Sequence, residues 1–142
     1  MSEAAVPTDR FVGYKASETV KITEKMVQQF AELSGDFNPI HMNDDYAKTT
    51  RFGRRIAHGM ILGALISRLL NDKIGSGGIY LEQSLKFVNP VYIDEDITFE
   101  FEITKLHKTR GLGYITTQGK KSNGEFVVKG EATIMMSWGI KE

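Results

Sequence analysis

Asp36 and His41 stand five residues apart in Gly35-Asp36-Phe37-Asn38-Pro39-Ile40-His41, and His58-Gly59-Met60 follows at the head of an apolar run. An aspartate (ordinary pKa about 3.9) and an imidazole (about 6.5) can exchange protons with a water held between them near neutral pH, once burial shifts them. A backbone N–H at a helix start favours negative charge on an incoming oxygen, and such a donor is typically worth about 3 kcal/mol in a transition state. Gly59 is the candidate donor. These parts could move protons beside a developing oxyanion. Pro39 holds Asn38 in extended geometry, so Asp36 and His41 are displayed from a turn, with Asn38 fixing the loop or bracing Asp36.

Each residue also has an ordinary explanation. Asp36 could end a helix and His41 could bond locally. Gly59 could mark a close approach of helix and sheet. His58 has no evident reaction partner and positions the loop or caps the helix. Ser67, inside the apolar run, either bonds back to a carbonyl one turn earlier or supports the active pair. Arg51, Arg54 and Arg55 form a basic cluster that is either a solvated loop or a phosphate contact. Asp36, His41 and His58 are zinc-binding types, but their spacing follows no strong metal pattern, so no metal is expected.

The elements that must carry these residues are legible from periodicity. Thr19 to Ile22 alternates as a short strand, after a start over residues 1–15 that has no period and is expected to be loose. Thr23 suits the N-cap of a helix whose Met26, Val27, Phe30 and Leu33 make one apolar stripe, ended near Gly35. A helical turn should follow Asn43, with Asp44 and Asp45 in its first turn. From Ile56 to Leu70 apolar residues cover most of the helix circumference, which predicts a buried helix. Strands are expected over 79–89, 97–104, 112–121 and 126–138, with Ser122-Asn123-Gly124 as a hairpin turn. Four consecutive strands after the helices predict an α+β domain with an antiparallel sheet.

The chain has 142 residues, with 18 basic and 18 acidic side chains and no cysteine. One domain of this length can bury a single sizeable core. Balanced charge argues against nucleic acid or an anionic membrane as partner. The absence of cysteine excludes disulfides, thiolate metal sites and cysteine nucleophiles. The apolar run is too short to span a bilayer, and no secretory signal is visible, so a cytoplasmic protein is expected, with an organellar matrix left open.

The Asp36–His41 segment with its downstream His-Gly-Met resembles the signature of the MaoC-like (R)-specific enoyl-CoA hydratases and 3-hydroxyacyl-thioester dehydratases. The resemblance runs from about Thr19 to Trp138. It implies a hot-dog fold, a curled antiparallel sheet wrapped round one long buried helix, and a homodimer, with a dimer of dimers left open. It also implies that Asp36 and His41 hold the water added across an enoyl thioester, that Gly59 serves the oxyanion and that Ser67 supports the pair. No cofactor is implied, only coenzyme A or an acyl carrier as the substrate's handle. Acyl chain length and pathway, fatty-acid metabolism aside, stay open. A hot-dog acyl-CoA thioesterase and a non-catalytic acyl-thioester binder are the alternatives. Many such thioesterases carry an acidic residue on or beside the central helix, and 57–70 contains none.

Overall fold

The computed structural model describes residues 10–136 apart from Ser76 and Lys108. Strand β1 (Lys15–Lys21) leads into helix α1 (Glu24–Ser34), the short helices α2 (Pro39–Met42) and α3 (Asp44–Lys48), and the long helix α4 (Gly59–Lys73). Strands β2 (Ile79–Gln83), β3 (Lys86–Phe87), β4 (Asp96–His107), β5 (Leu112–Lys121) and β6 (Phe126–Met135) complete the order. They form one antiparallel sheet in the order β1-β4-β5-β6-β2, with β3 also on β6. This is the α+β hot-dog arrangement.

Alternation builds the sheet's inner face. Ile97, Phe99, Phe101 and Ile103 of β4 are buried, and Ile115 of β5 with Val128, Ala132 and Ile134 of β6 continue the layer. Against it α4 sets Ile61, Leu62, Ile66, Leu69 and Leu70. The strand expected over 79–89 is broken into β2 and β3. At the break Ser84 N–H donates to the Glu131 carbonyl while the Ser84 hydroxyl accepts from Glu131 N–H. Gly130 permits this, because a Cβ there would lie 1.8 Å from the Ser84 carbonyl oxygen.

Several expectations need correction. The helix expected from Ile56 begins at Gly59, because Ile56 is bridged to Tyr92 and Ala57 N–H donates to the Val91 carbonyl. The curled sheet covers one side of α4, and among the described residues the other side is open: Met60 is 53% exposed, and Ala64 and Ser67 are exposed with it. Leu33 falls outside the buried stripe of α1, at 85% exposed, on the rim of a shallow hollow shared with Ile61, Ala64 and Leu65 of α4. The loose start does not extend to residue 15. Arg10 donates to the Lys73 and Ile74 carbonyls, and Gly13 N–H to that of Ile103, before β1 opens at Lys15. Residues 1–9 and Trp138 lie outside the described residues.

Candidate active site

Local chemistry shapes the loop that carries Asp36 and His41. Thr23 caps α1 by accepting from Met26 N–H, and Gly35 ends it in the left-handed conformation (φ 78°). Asn38 is the N-cap of α2, its side chain accepting from Ile40 N–H at 3.2 Å, and Pro39 fills the first helical position, where no N–H is needed. The chain therefore turns into helix at the proline itself, and His41 rides on that single turn. Asn38 N–H also donates to the Asp36 carboxylate at 3.1 Å.

His41 Nδ1 lies 2.8 Å from the Ile56 carbonyl. A carbonyl only accepts, so Nδ1 carries a proton and the neutral ring keeps its lone pair on Nε2. Burial, outweighing the Ile56 hydrogen bond and the Asp36 carboxylate, lowers the His41 pKa below the ordinary imidazole value, and His58 adds to the effect.

His58 is only 2% exposed. Although it is the N-cap residue of α4, its side chain makes no capping bond. Instead its Nε2 donates to the Asp36 backbone carbonyl at 2.9 Å, and its ring lies 4.0 Å from that of His41 and 4.9 Å from Phe30. Its Nδ1 is buried and has no partner among the described residues. A buried acceptor left unpaired costs about 1–3 kcal/mol.

Gly59 opens α4, and among the described residues nothing accepts from its N–H. A Cβ at Gly59 would meet the Phe87 ring at 3.1 Å, which accounts for glycine here as a packing requirement. The N–H of a first helical turn has no partner within the helix, so the donor needs no glycine of its own. His41, Gly59, Phe87, Leu62 and Val91 help to line a cavity of about 310 Å³, with Arg51 and Phe52 in its wall. A larger hollow of about 430 Å³ on β1, β4 and β5, among Lys15, Glu100, Glu102 and Lys120, includes none of these residues.

Two expected members lie elsewhere. Ser67 is two helical turns beyond Gly59, about 12 Å along the axis. It lines a separate hollow with Asn71, Tyr80 and Ile134, so it does not support the pair within this chain. The arginine cluster divides. Arg51 stacks on Phe52 and Arg54 on Tyr92, both exposed. Arg55 faces inward and binds Glu24 at 2.5 Å, Asp44 at 2.7 Å and the His41 carbonyl at 3.3 Å. Its guanidinium is committed to tying α1, α2 and α3 together, which corrects its reading as a phosphate contact.

The Arg55 brace and the contacts of His58 escaped sequence reasoning, because the partners come from separate elements. Asp36, His41 and His58 do bring one ligand-type atom each within 4.8 Å of the others. The fold, however, uses both His58 Nε2 and His41 Nδ1, and buries His58 Nδ1. Two open donors are left, the Asp36 carboxylate and His41 Nε2, fewer than the three protein ligands of typical catalytic zinc.

Residues 12–124 match the family of the MaoC like domain. The chain belongs to that family. It is 40% identical over 126 residues to an (R)-specific enoyl-CoA hydratase of Aeromonas caviae, covering 88% of this chain and 94% of that one. An (R)-specific enoyl-CoA hydratase of Rhodospirillum rubrum is 42% identical over 87% of this chain and 86% of its own. The solved (R)-hydratase of A. caviae superposes with a TM-score of 0.87 at 39% identity, over 91% of this chain and 98% of that one. In this MaoC-like chain the Asp36-Phe37-Asn38-Pro39-Ile40-His41 segment begins after α1 and runs into α2.

Proposed function

We propose that this protein adds water reversibly across trans-2-enoyl thioesters to give (R)-3-hydroxyacyl thioesters, as a hydro-lyase that needs no cofactor. One observation carries the reading. Asp36 and His41 bring ligand-type atoms within 4.8 Å of each other, the fold leaves one carboxylate oxygen and His41 Nε2 open, and His41 and Gly59, the first residue of α4, line one apolar cavity. A water between the pair gives up a proton as its oxygen adds to the β-carbon. The pair returns a proton to the α-carbon from the same side. Charge that builds on the thioester oxygen is met by Gly59 N–H and the α4 dipole. The two hydratase relatives, by their names, act on enoyl-CoA, which supports this substrate class.

The protein works as a homodimer in this reading. A second copy would cover the Met60, Ala64 and Ser67 side of α4 and extend the sheet from β2, an edge strand with Ile79 and Leu81 exposed. No helix among the described residues is long and apolar enough to cross a membrane; a cytoplasmic site of action is our reading.

The deciding experiment offers trans-2-enoyl thioesters of several lengths on coenzyme A and on acyl carrier protein, without added metal or nucleotide. Loss of the enoyl absorbance with formation of the (R)-alcohol is expected. Release of free thiol without hydration would move the protein to the thioesterases, and binding without turnover to the acyl-thioester sensors.

The handle is read by Arg51 and Arg54. Replacing both with Gln should raise KM for enoyl-CoA while leaving kcat nearly unchanged, as loss of uniform binding does. The wild-type KM should rise with salt, since exposed charges are screened beyond about 8 Å at physiological ionic strength. Arg55→Gln should instead lower kcat and thermal stability, because it loosens the His41 turn. A KM indifferent to Arg51, Arg54 and salt would make those two a solvated loop.

A further inference from the structure

His58 is the one buried polar ring in contact with both members of the pair. Its Nε2–H reaches the Asp36 carbonyl at 2.9 Å, and its face lies against His41 at 4.0 Å. Its own peptide bond leads into Gly59, whose N–H opens α4. One imidazole thus holds the backbone of Asp36, backs the ring of His41 and anchors the residue before the oxyanion donor. A phenylalanine could pack as well between Phe30 and His41 without leaving a buried nitrogen unpaired. The fold retains the costlier side chain. We propose that His58 is a positioning residue for the hydration, a fixed Nε2–H imidazole that sets Asp36, His41 and Gly59 relative to one another.

The bare Nδ1 explains how the ring stays fixed. A ring with acceptors on both sides can place its proton on either nitrogen. At His58 a proton on Nδ1 would find no acceptor among the described residues, so the hydrogen stays on Nε2 and the link to Asp36 is constant. The same ring covers one face of His41 and keeps water from it, and burial is the main cause that lowers the His41 pKa. Few other titratable groups bear on His41. The loop contributes the Asp36 carboxylate, and behind the His41 carbonyl lies Arg55 with Glu24 and Asp44. The first two turns of α4 and residues 87–91 carry no titratable side chain. His58 is therefore placed to keep the His41 lone pair available by burying its ring.

This inference rests on the hydratase reading, and the test separates the two. Long-range ¹H–¹⁵N spectra of the wild-type protein should show His58 as the Nε2–H tautomer, assigned with His41→Gln and His107→Gln proteins. That measurement needs no activity, whereas failure to hydrate any enoyl thioester would remove the functional reading alone. In the kinetics, His58→Phe keeps the stacked ring and loses the donor. Its kcat should fall about tenfold or more, on the scale seen when a partner orienting a reacting group is removed, with KM nearly unchanged. Asp36→Asn combined with His58→Phe should be little worse than Asp36→Asn alone. His58→Gln removes the ring from His41, so the acid limb of kcat/KM should move to higher pH. If His58→Phe does not fold, the Gln variant and the wild-type tautomer decide. An Nδ1–H tautomer overturns the proposal. So do folded variants with lowered melting temperature but unchanged kcat and an unmoved acid limb, since those are the marks of a packing residue.

Discussion

Asp36→Asn and His41→Ala should each lower kcat by at least about a hundredfold, since a positioned acid or base typically contributes 10²–10⁴. Asp36→Asn keeps an oxygen for Asn38 N–H, whereas His41→Ala gives up the Ile56 hydrogen bond and the His58 contact, so His41→Ala should also lower the melting temperature. The Asn38 side-chain cap, Pro39 and the Arg55 contact to the His41 carbonyl remain in both mutants to hold that turn. The double mutant should be little worse than the worse single, because both groups act on one water. The pH profile carries a second check. Burial lowers the His41 pKa, and protonation of Nε2 abolishes its role as acceptor. The acid limb of kcat/KM should therefore lie below 6.5, the ordinary imidazole value. Near-normal turnover by either folded single mutant would end the mechanism, and a limb at or above that value would remove His41 as the proton acceptor.

Phe99→Ala should lose about 3–5 kcal/mol of unfolding free energy in urea titration, the usual range for an aromatic side chain removed from a core. Phe99 is 0% exposed on β4, opposite Gly119 of β5, where no second side chain can fill the hole. Total stabilities of about 5–15 kcal/mol make that loss severe. Leu33→Ala should stay within about 0.5 kcal/mol, because Leu33 is 85% exposed. Equal losses at the two positions would mean that the core does not lie between α4 and β4 as described.

The contrast between these residues marks how far sequence reading reached. The turn bearing Asp36 and His41 was legible because Gly35, Asn38 and Pro39 act on their immediate neighbours. The alternation of Ile97, Phe99, Phe101 and Ile103 was legible because a strand puts its two faces in strict order. Periodicity shows which side of a helix is apolar but not what covers it, so the exposure of Leu33 was not legible. The start of α4 at Gly59 depends on Ile56 and Ala57 being drawn out by Tyr92 and Val91, more than thirty residues away. Arg55 and His58 found their roles by similar reach, to Glu24 and Asp36, and neither spacing leaves a local signature.

The pairing of β1 with β4, in which Thr19 lies opposite Thr98, has a consequence for biosynthesis. Every helix of the described chain is made before any strand that covers it except β1, and β1 has no partner until β4 emerges. The buried side of α4 is complete at Lys73, while β6 ends about sixty residues later, at Met135. At about 5–20 residues per second, a nascent chain holds Ile61, Leu62, Ile66, Leu69 and Leu70 without their sheet for roughly 3–12 s. The ribosome-bound half-protein thus holds the apolar face of α4 with most of its covering sheet still to be made.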